Sequence, residues 1–241
     1  MSPNQGDTGK TPRAKPLCLG ARFASRLAGE PVATPTSVIR VSGEHYFTAQ
    51  PAGPAQRRRI DVELAGRRLS VVTAGGVFAP DRVDTGTQVL LREAPAPPSQ
   101  GTFLDLGCGW GPLALTLALR SPGANVFAID INERAIDLTR SNAASLGLQQ
   151  VVASLPEDVP PDLRFDLIWS NPPIRVGKQV LHDLLGTWLP RLAEAGEAYL
   201  VVQKNLGADS LHRWIAAELG LPCDRYAVSK GFRILRVSRG G

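Results

Sequence analysis

From Gly101 to the C-terminus, short strand-like apolar runs alternate with helical stretches. No other feature limits the possible folds as much. A strand that returns through a helix lands beside its predecessor as a parallel neighbour, so repeated units build a mostly parallel sheet covered on both faces. The strand-like runs are Thr102 to Leu106, Asn125 to Asp130, Gln150 to Ala153, Phe165 to Ser170 and Ala198 to Lys204. The helical runs are Pro112 to Arg120, Glu133 to Leu146, Val180 to Ala193 and Asp209 to Leu219; Gly147 and Gly220 stop two of them. Asp224 to Ser229 and Phe232 to Val237 read as a closing strand pair about Lys230-Gly231. The sequence therefore predicts an α/β chain with a doubly wound, mostly parallel seven-stranded sheet and an antiparallel C-terminal edge strand.

Upstream, Ile60, Val62 and Leu64 alternate with polar residues, Ala65-Gly66 reads as a turn, and Leu69 to Thr73 again looks extended. This is a small β-hairpin. Ala74 to Pro80 reads as a loop, Thr87 to Arg92 as part of a helix, and the proline-rich Ala94 to Gln100 as a linker. Residues 1–43 are rich in Pro, Gly, Ser, Thr and Ala and are expected to form a disordered basic tail, with at most a weak helix over Leu17 to Leu27. The expected organisation is this tail, an extension over 44–99 with the hairpin and a pocket-lining loop, and a catalytic domain over 100–241.

Composition excludes several classes. No stretch approaches the roughly 18 uninterrupted apolar residues that cross a membrane, and Met1 to Pro16 has no apolar core of a signal peptide. Cys18, Cys108 and Cys223 are too few and too scattered for a disulfide framework or a zinc site, so a reducing, cytoplasmic location without metal is expected. The net charge of +5 is uneven. Residues 1–92 carry 13 Lys and Arg against 7 Asp and Glu, and residues 93–241 carry 14 against 15. The basic excess, including Arg57-Arg58-Arg59 and Arg67-Arg68, suits either a polyanionic partner or a solvated arm.

The first strand of the sheet runs into Asp105-Leu-Gly107-Cys-Gly109-Trp-Gly111. A glycine-rich turn between the first strand and its helix is where such sheets hold nucleotide-like ligands. The spacing is G-x-G-x-G; the dinucleotide fingerprint has one more residue before its last glycine, and the phosphate-loop lysine is missing. Asp130 ends the second strand, 23 residues after Gly107, where a carboxylate can accept from two ribose hydroxyls. A ligand with a ribose and no diphosphate, such as S-adenosylmethionine, suits Asp105, Gly107, Gly109, Gly111 and Asp130. Asp130 could alternatively cap the next helix, a task Asn132 could also perform. Cys108 has no evident histidine partner and is not expected to be a nucleophile.

The fourth strand ends in Ser170-Asn171-Pro172-Pro173-Ile174, the sharpest signal in the chain. Two prolines stop the ladder and fix the turn, and Asn171 is held extended ahead of them. The Asn171 side-chain carbonyl and the Pro172 backbone carbonyl then converge as two acceptors for an NH2 group. Holding both N–H bonds of a base amine favours the pyramidal, nucleophilic geometry that attacks a sulfonium methyl in line. Alternatively, Asn-Pro-Pro only stops the strand.

Asp105-Leu-Gly-Cys-Gly-Trp-Gly111, Asp130 and Asn171-Pro-Pro-Ile174 together resemble the class I S-adenosylmethionine-dependent methyltransferases. The sequence is closest to their small-domain group, which includes RsmC-like guanine-N2 methyltransferases of ribosomal RNA. Gly76-Val-Phe78, Asp84-Thr-Gly-Thr87, Leu90-Leu91, Gly177-Lys178 and Lys230-Gly231-Phe232 extend the resemblance over about residues 44–240. The resemblance implies S-adenosylmethionine as cofactor and RNA, ribosomal RNA or a ribosomal particle as partner. It implies catalytic roles for Asn171, Pro172, Pro173 and Ile174, with Asn171 also beside the cofactor, and a pocket-lining role for the stretch around Phe78.

Many relatives have an aromatic residue after Asn-Pro-Pro that stacks on the target base. Ile174 stands there in this chain, which moves that expectation to Phe78 or Trp110. Arg175 and Lys178 are either phosphate contacts near the target or solvated loop cations. A protein glutamine amide or a small-molecule amine also offers an NH2, and a non-catalytic RNA-binding factor could share the fold.

Overall fold

The computed structural model describes residues 56–240; the expected tail over 1–43 and the weak helix within it lie outside these residues. The hairpin forms as read, with β1 (Arg57–Leu64) antiparallel to β2 (Arg67–Ala74). Its two-residue turn puts Ala65 at φ 52° and Gly66 at φ 73°, the doubly positive geometry that matches the twist of paired strands. Helix α1 (Thr85–Glu93) follows, capped by Asp84.

The main sheet contains β3 (Gln100–Leu106), β4 (Gly123–Ile129), β5 (Val151–Ser154), β6 (Phe165–Ser170), β7 (Leu192–Gln203), β8 (Cys223–Ser229) and β9 (Phe232–Ser238). Their order is β5-β4-β3-β6-β7-β9-β8. The helices between them are α2 (Pro112–Arg120), α3 (Glu133–Ser145), α4 (Lys178–Trp188) and α5 (Ala208–Glu218). This is the expected seven-stranded, mostly parallel architecture. Strand β9 runs antiparallel to both of its neighbours and lies between β7 and β8, so β8 forms the outer edge. A tight turn at Lys230-Gly231 folds the last two strands into a hairpin, and the later strand takes the place against β7.

Period-two burial sorts the strand residues onto two faces. Phe103, Val126, Leu167, Trp169 and Val201 pack with Val89 and Leu90 of α1 and with α2. Leu104, Ile129, Ile168, Leu200 and Leu235 pack with Leu181 and Leu185 of α4 and with Leu211 and Ile215 of α5. The inward face of the hairpin, Leu64, Leu69 and Val71, forms a third core with Trp110, Leu115 and Leu138. The extension is thus fastened to α2 and α3 by apolar packing.

Two neighbouring boundaries differ from the sequence expectation, and β7 begins at Leu192 and not Ala198. The helical run after Val180 ends at Trp188 and not Ala193, and a single 3-10 turn, Leu189–Arg191, leads into β7 at Leu192. Pro190 lacks the N–H that a continuing helix needs, and Leu192 finds a ladder partner in Phe165.

Candidate active site

The loops after β3 and β6 meet the N-terminus of α1 in one pocket. Its walls include Phe78, Asp84, Thr87, Asp105, Gly107, Gly109 and Asn171. The predicted cofactor turn and the predicted Asn-Pro-Pro turn, 60 residues apart in sequence, therefore share a single cavity.

The glycine turn is built from backbone geometry. Gly107, Gly109 and Gly111 have φ of 83°, 57° and 100°, values that side-chain-bearing residues avoid. Gly107 and Cys108 donate their N–H groups to the Ile129 carbonyl at 2.9 Å each. At Gly111 a Cβ would come within 3.0 Å of Thr139 Oγ1, so the glycine also admits α3. Thr139 Oγ1 donates to the Gly109 carbonyl at 3.0 Å.

Two carboxylates flank this turn. Asp105 is fully buried; its Oδ2 accepts from Ala114 N at 2.9 Å, while Oδ1 is buried with no partner among the described residues. Burial pushes its pKa up to about 8. Asp130 accepts from Gly109 N at 3.0 Å and from Asn132 N at 2.9 Å, and burial raises its pKa despite these bonds. The cap of α3 is Asn132, whose side chain accepts from Arg134 N at 3.0 Å, so Asp130 is not the helix cap. Burial also raises the Cys108 thiol well above its ordinary value, which keeps it protonated and inert.

These groups suit a nucleoside bearing a positively charged amino acid end. The orphaned Asp105 Oδ1 would satisfy an ammonium, the glycines let a ligand approach the backbone, and each Asp130 oxygen keeps acceptor capacity for a ribose hydroxyl.

On the other side of the pocket, Asn171 is gripped by α1. Its Nδ2 donates to Asp84 Oδ2 at 2.9 Å and to Thr87 Oγ1 at 3.0 Å. Asp84 Oδ2 also accepts from Gly86 N at 2.7 Å as the helix cap. A carboxylate accepts only, so the Asn171 amide nitrogen must face Asp84, and its carbonyl Oδ1 faces the opposite way. A Cβ on Gly86 would sit 3.0 Å from Phe232 Cε1 and 3.3 Å from Asn171 Nδ2, so glycine there allows the approach. Asp84 and Thr87 were legible only as part of a family-like stretch; their grip on Asn171 joins residues 84 or more positions apart.

The structure refines three expectations. The Pro172 carbonyl already accepts from Ile174 N at 2.9 Å, and Pro173 at φ −75°, ψ 79° makes an inverse γ-turn; one lone pair remains for a substrate. Ile174, expected to take a catalytic role, is partly buried and packs against the core on the α4–α5 face. Trp110 also lines the pocket but is 1% exposed, and its Nε1 donates to the Ala79 carbonyl at 3.2 Å, so its ring supports the pocket loop. Phe78 on that loop lines the pocket too and is 51% exposed. Pro172 is buried behind Asn171, while Arg175 and Lys178 are exposed beyond it.

Fold and pocket together define a doubly wound α/β enzyme domain with a nucleoside-type cradle beside an amide-bearing turn. Residues 68–236 match the family model described as the methyltransferase small domain. The chain belongs to that family and is a methyltransferase. The uncharacterized protein YbxB of Bacillus subtilis (strain 168) is 34% identical over 170 residues, which cover 69% of this chain and 85% of that one. Ribosomal RNA small subunit methyltransferase C of Pseudomonas entomophila (strain L48) is 35% identical over 206 residues, 83% of this chain and 60% of that one. The T. thermophilus 16S rRNA N2 methyltransferase RsmC, solved with AdoMet and guanosine, superposes with a TM-score of 0.67 at 23% identity. That likeness shows a shared fold over 78% of this chain and 52% of the other. The chain thus spans about half the length of the relatives whose names state an rRNA activity, from 46% to 60%.

Proposed function

We propose that this chain is an S-adenosylmethionine-dependent methyltransferase of an exocyclic base amine in RNA, namely guanine N2 of ribosomal RNA. The observation that carries the reading is the fixed Asn171 amide: its nitrogen is tied to Asp84 and Thr87, which turns Oδ1 outward as an acceptor. Bound in the glycine cradle, S-adenosylmethionine supplies an electrophilic sulfonium methyl. Asp105 would hold its ammonium and Asp130 its ribose.

The chain's own work is positional. Asn171 Oδ1 and the remaining lone pair of the Pro172 carbonyl take the two hydrogens of the target amine. They hold it pyramidal, with its lone pair aimed along the line of transfer. No group in the pocket has to remove a proton first, because the cationic product loses its own afterwards. Preorganised acceptors lower the barrier without reorganising. Exposed Phe78 offers a face on which the base can stack. The names of the rRNA methyltransferase C relatives support the nucleic-acid substrate.

The test is mass-spectrometric mapping of rRNA nucleosides from cells with and without the protein, and with Asn171→Ala. One N2-methylguanosine that appears only with the wild-type chain supports the reading. Methylation of protein or small amines with unchanged rRNA would overturn the substrate assignment.

A further inference from the structure

One side of the pocket opens onto a run of basic strand ends. On the side of β6, β7 and the β8–β9 turn, four exposed cations follow the strand ends: Arg175 and Lys178 after β6, Lys204 after β7, and Lys230 in the turn. None of the four has an ion-pair partner among the described residues. The flanking segments 171–182, 203–208 and 225–240 contain no Asp or Glu at all. Asp209, the first acid beyond Lys204, is already matched by Arg225 and Arg233.

The four cations belong to one continuous edge. Lys204 N donates to the Gly231 carbonyl at 2.8 Å, which joins the end of β7 to the turn that carries Lys230. Gln203 pairs with Phe232 across the ladder. Phe232 in turn reaches Gly86, against which Asn171 also packs. The edge therefore leads from the methyl-accepting side of the pocket outward. Charge sums along the chain conceal it, because residues 93–241 total −1.

We infer that this edge is a track for the sugar-phosphate backbone of the RNA strand flanking the target nucleotide. The inference rests on the RNA reading above. A polyanion is drawn to four uncompensated cations. Phosphate contacts along the track would fix register while Asn171 engages the base.

The test measures binding of an rRNA fragment against salt for the wild type, for R175Q/K178Q/K204Q/K230Q, and for R120Q/R164Q, whose arginines lie at the opposite end of the sheet. The track predicts that the fourfold variant flattens the slope of log K against log salt by about 3, at roughly 0.7–0.9 per phosphate contact, and that R120Q/R164Q leaves it unchanged. S-adenosylmethionine affinity, read by calorimetry, should be equal in all three proteins. Equal slopes in the wild type and the fourfold variant would overturn the track while leaving the RNA reading intact. A wild type that binds no RNA would overturn both.

Discussion

Asp84 and Asn171 meet at 2.9 Å, the carboxylate of a helix cap holding the amide of a strand-end asparagine. One oxygen therefore caps α1 and sets the orientation of the amide proposed to face the substrate. Thr87 gives the second hold at 3.0 Å, and its replacement separates the two tasks. Thr87→Val keeps the cap and the buried volume and removes one restraint on the amide. Methyl transfer to rRNA should fall about tenfold, the cost of a lost hydrogen bond of roughly 1–1.5 kcal/mol, with little change in RNA affinity. Single-turnover kinetics with a separate binding assay measure both; a loss confined to affinity would remove the orienting role.

Asn171→Ala removes the side-chain acceptor and leaves both turn prolines in place. The fold and cofactor affinity should persist, and transfer should drop by several orders of magnitude. Near wild-type methylation of rRNA by this variant would reduce the Asn-Pro-Pro turn to a strand stop.

Asp105 should make the protein sensitive to pH. Burial raises its folded pKa from 3.8 to about 8, so the folded state holds this proton more tightly than the unfolded chain does. Its contribution to stability is therefore full below about 3.8 and is lost as pH rises to about 8. A cationic ligand favours the ionised form, so S-adenosylmethionine should bind more tightly as pH climbs toward 8 and release up to one proton at neutral pH. Calorimetry in two buffers of different ionisation heat counts that proton. Asp105→Asn should abolish the release, and its persistence would assign the proton elsewhere.

Gly111 has φ 100°, and Thr139 Oγ1 lies 3.0 Å from the position of a Cβ, so an added methyl group would be strained and would press on α3. Gly111→Ala should cost roughly 1–3 kcal/mol in stability, seen as a lower midpoint in thermal unfolding. An unchanged midpoint would mean that α3 can shift freely.

Much of this was legible in the sequence because it depends on local rules. Pro112 at a helix start, Gly147 after a helix end and Ala65-Gly66 between alternating runs each announce their own geometry. Asp105, the glycines and Asn171 announced themselves by their place at strand ends. What stayed hidden depends on partners distant in the chain. The Asp84–Asn171 bond spans 87 positions, and nothing beside Trp110 reveals that Ala79 would take its indole N–H. Ile174 looked like a pocket residue because it follows the prolines; the γ-turn at Pro173, which carries it toward the core, is a consequence of a backbone bond that sequence does not display.

Helix α3 reaches both sides of the pocket. Asn142 brackets Val72, accepting from its N–H at 2.7 Å and donating to its carbonyl at 2.9 Å, and Asn132 Nδ2 donates to the Gly76 carbonyl at 2.7 Å. Thr139 holds Gly109. The same helix thus latches the segment leading to Phe78 and the cradle of the glycine turn. In hydrogen-exchange terms, the amides of Val72 and Gly109 should open together as one cooperative unit, although one lies in the hairpin and the other in the cofactor turn. A ligand that quiets the cradle would then also slow exchange at Val72, so that filling one half of the pocket prepares the other.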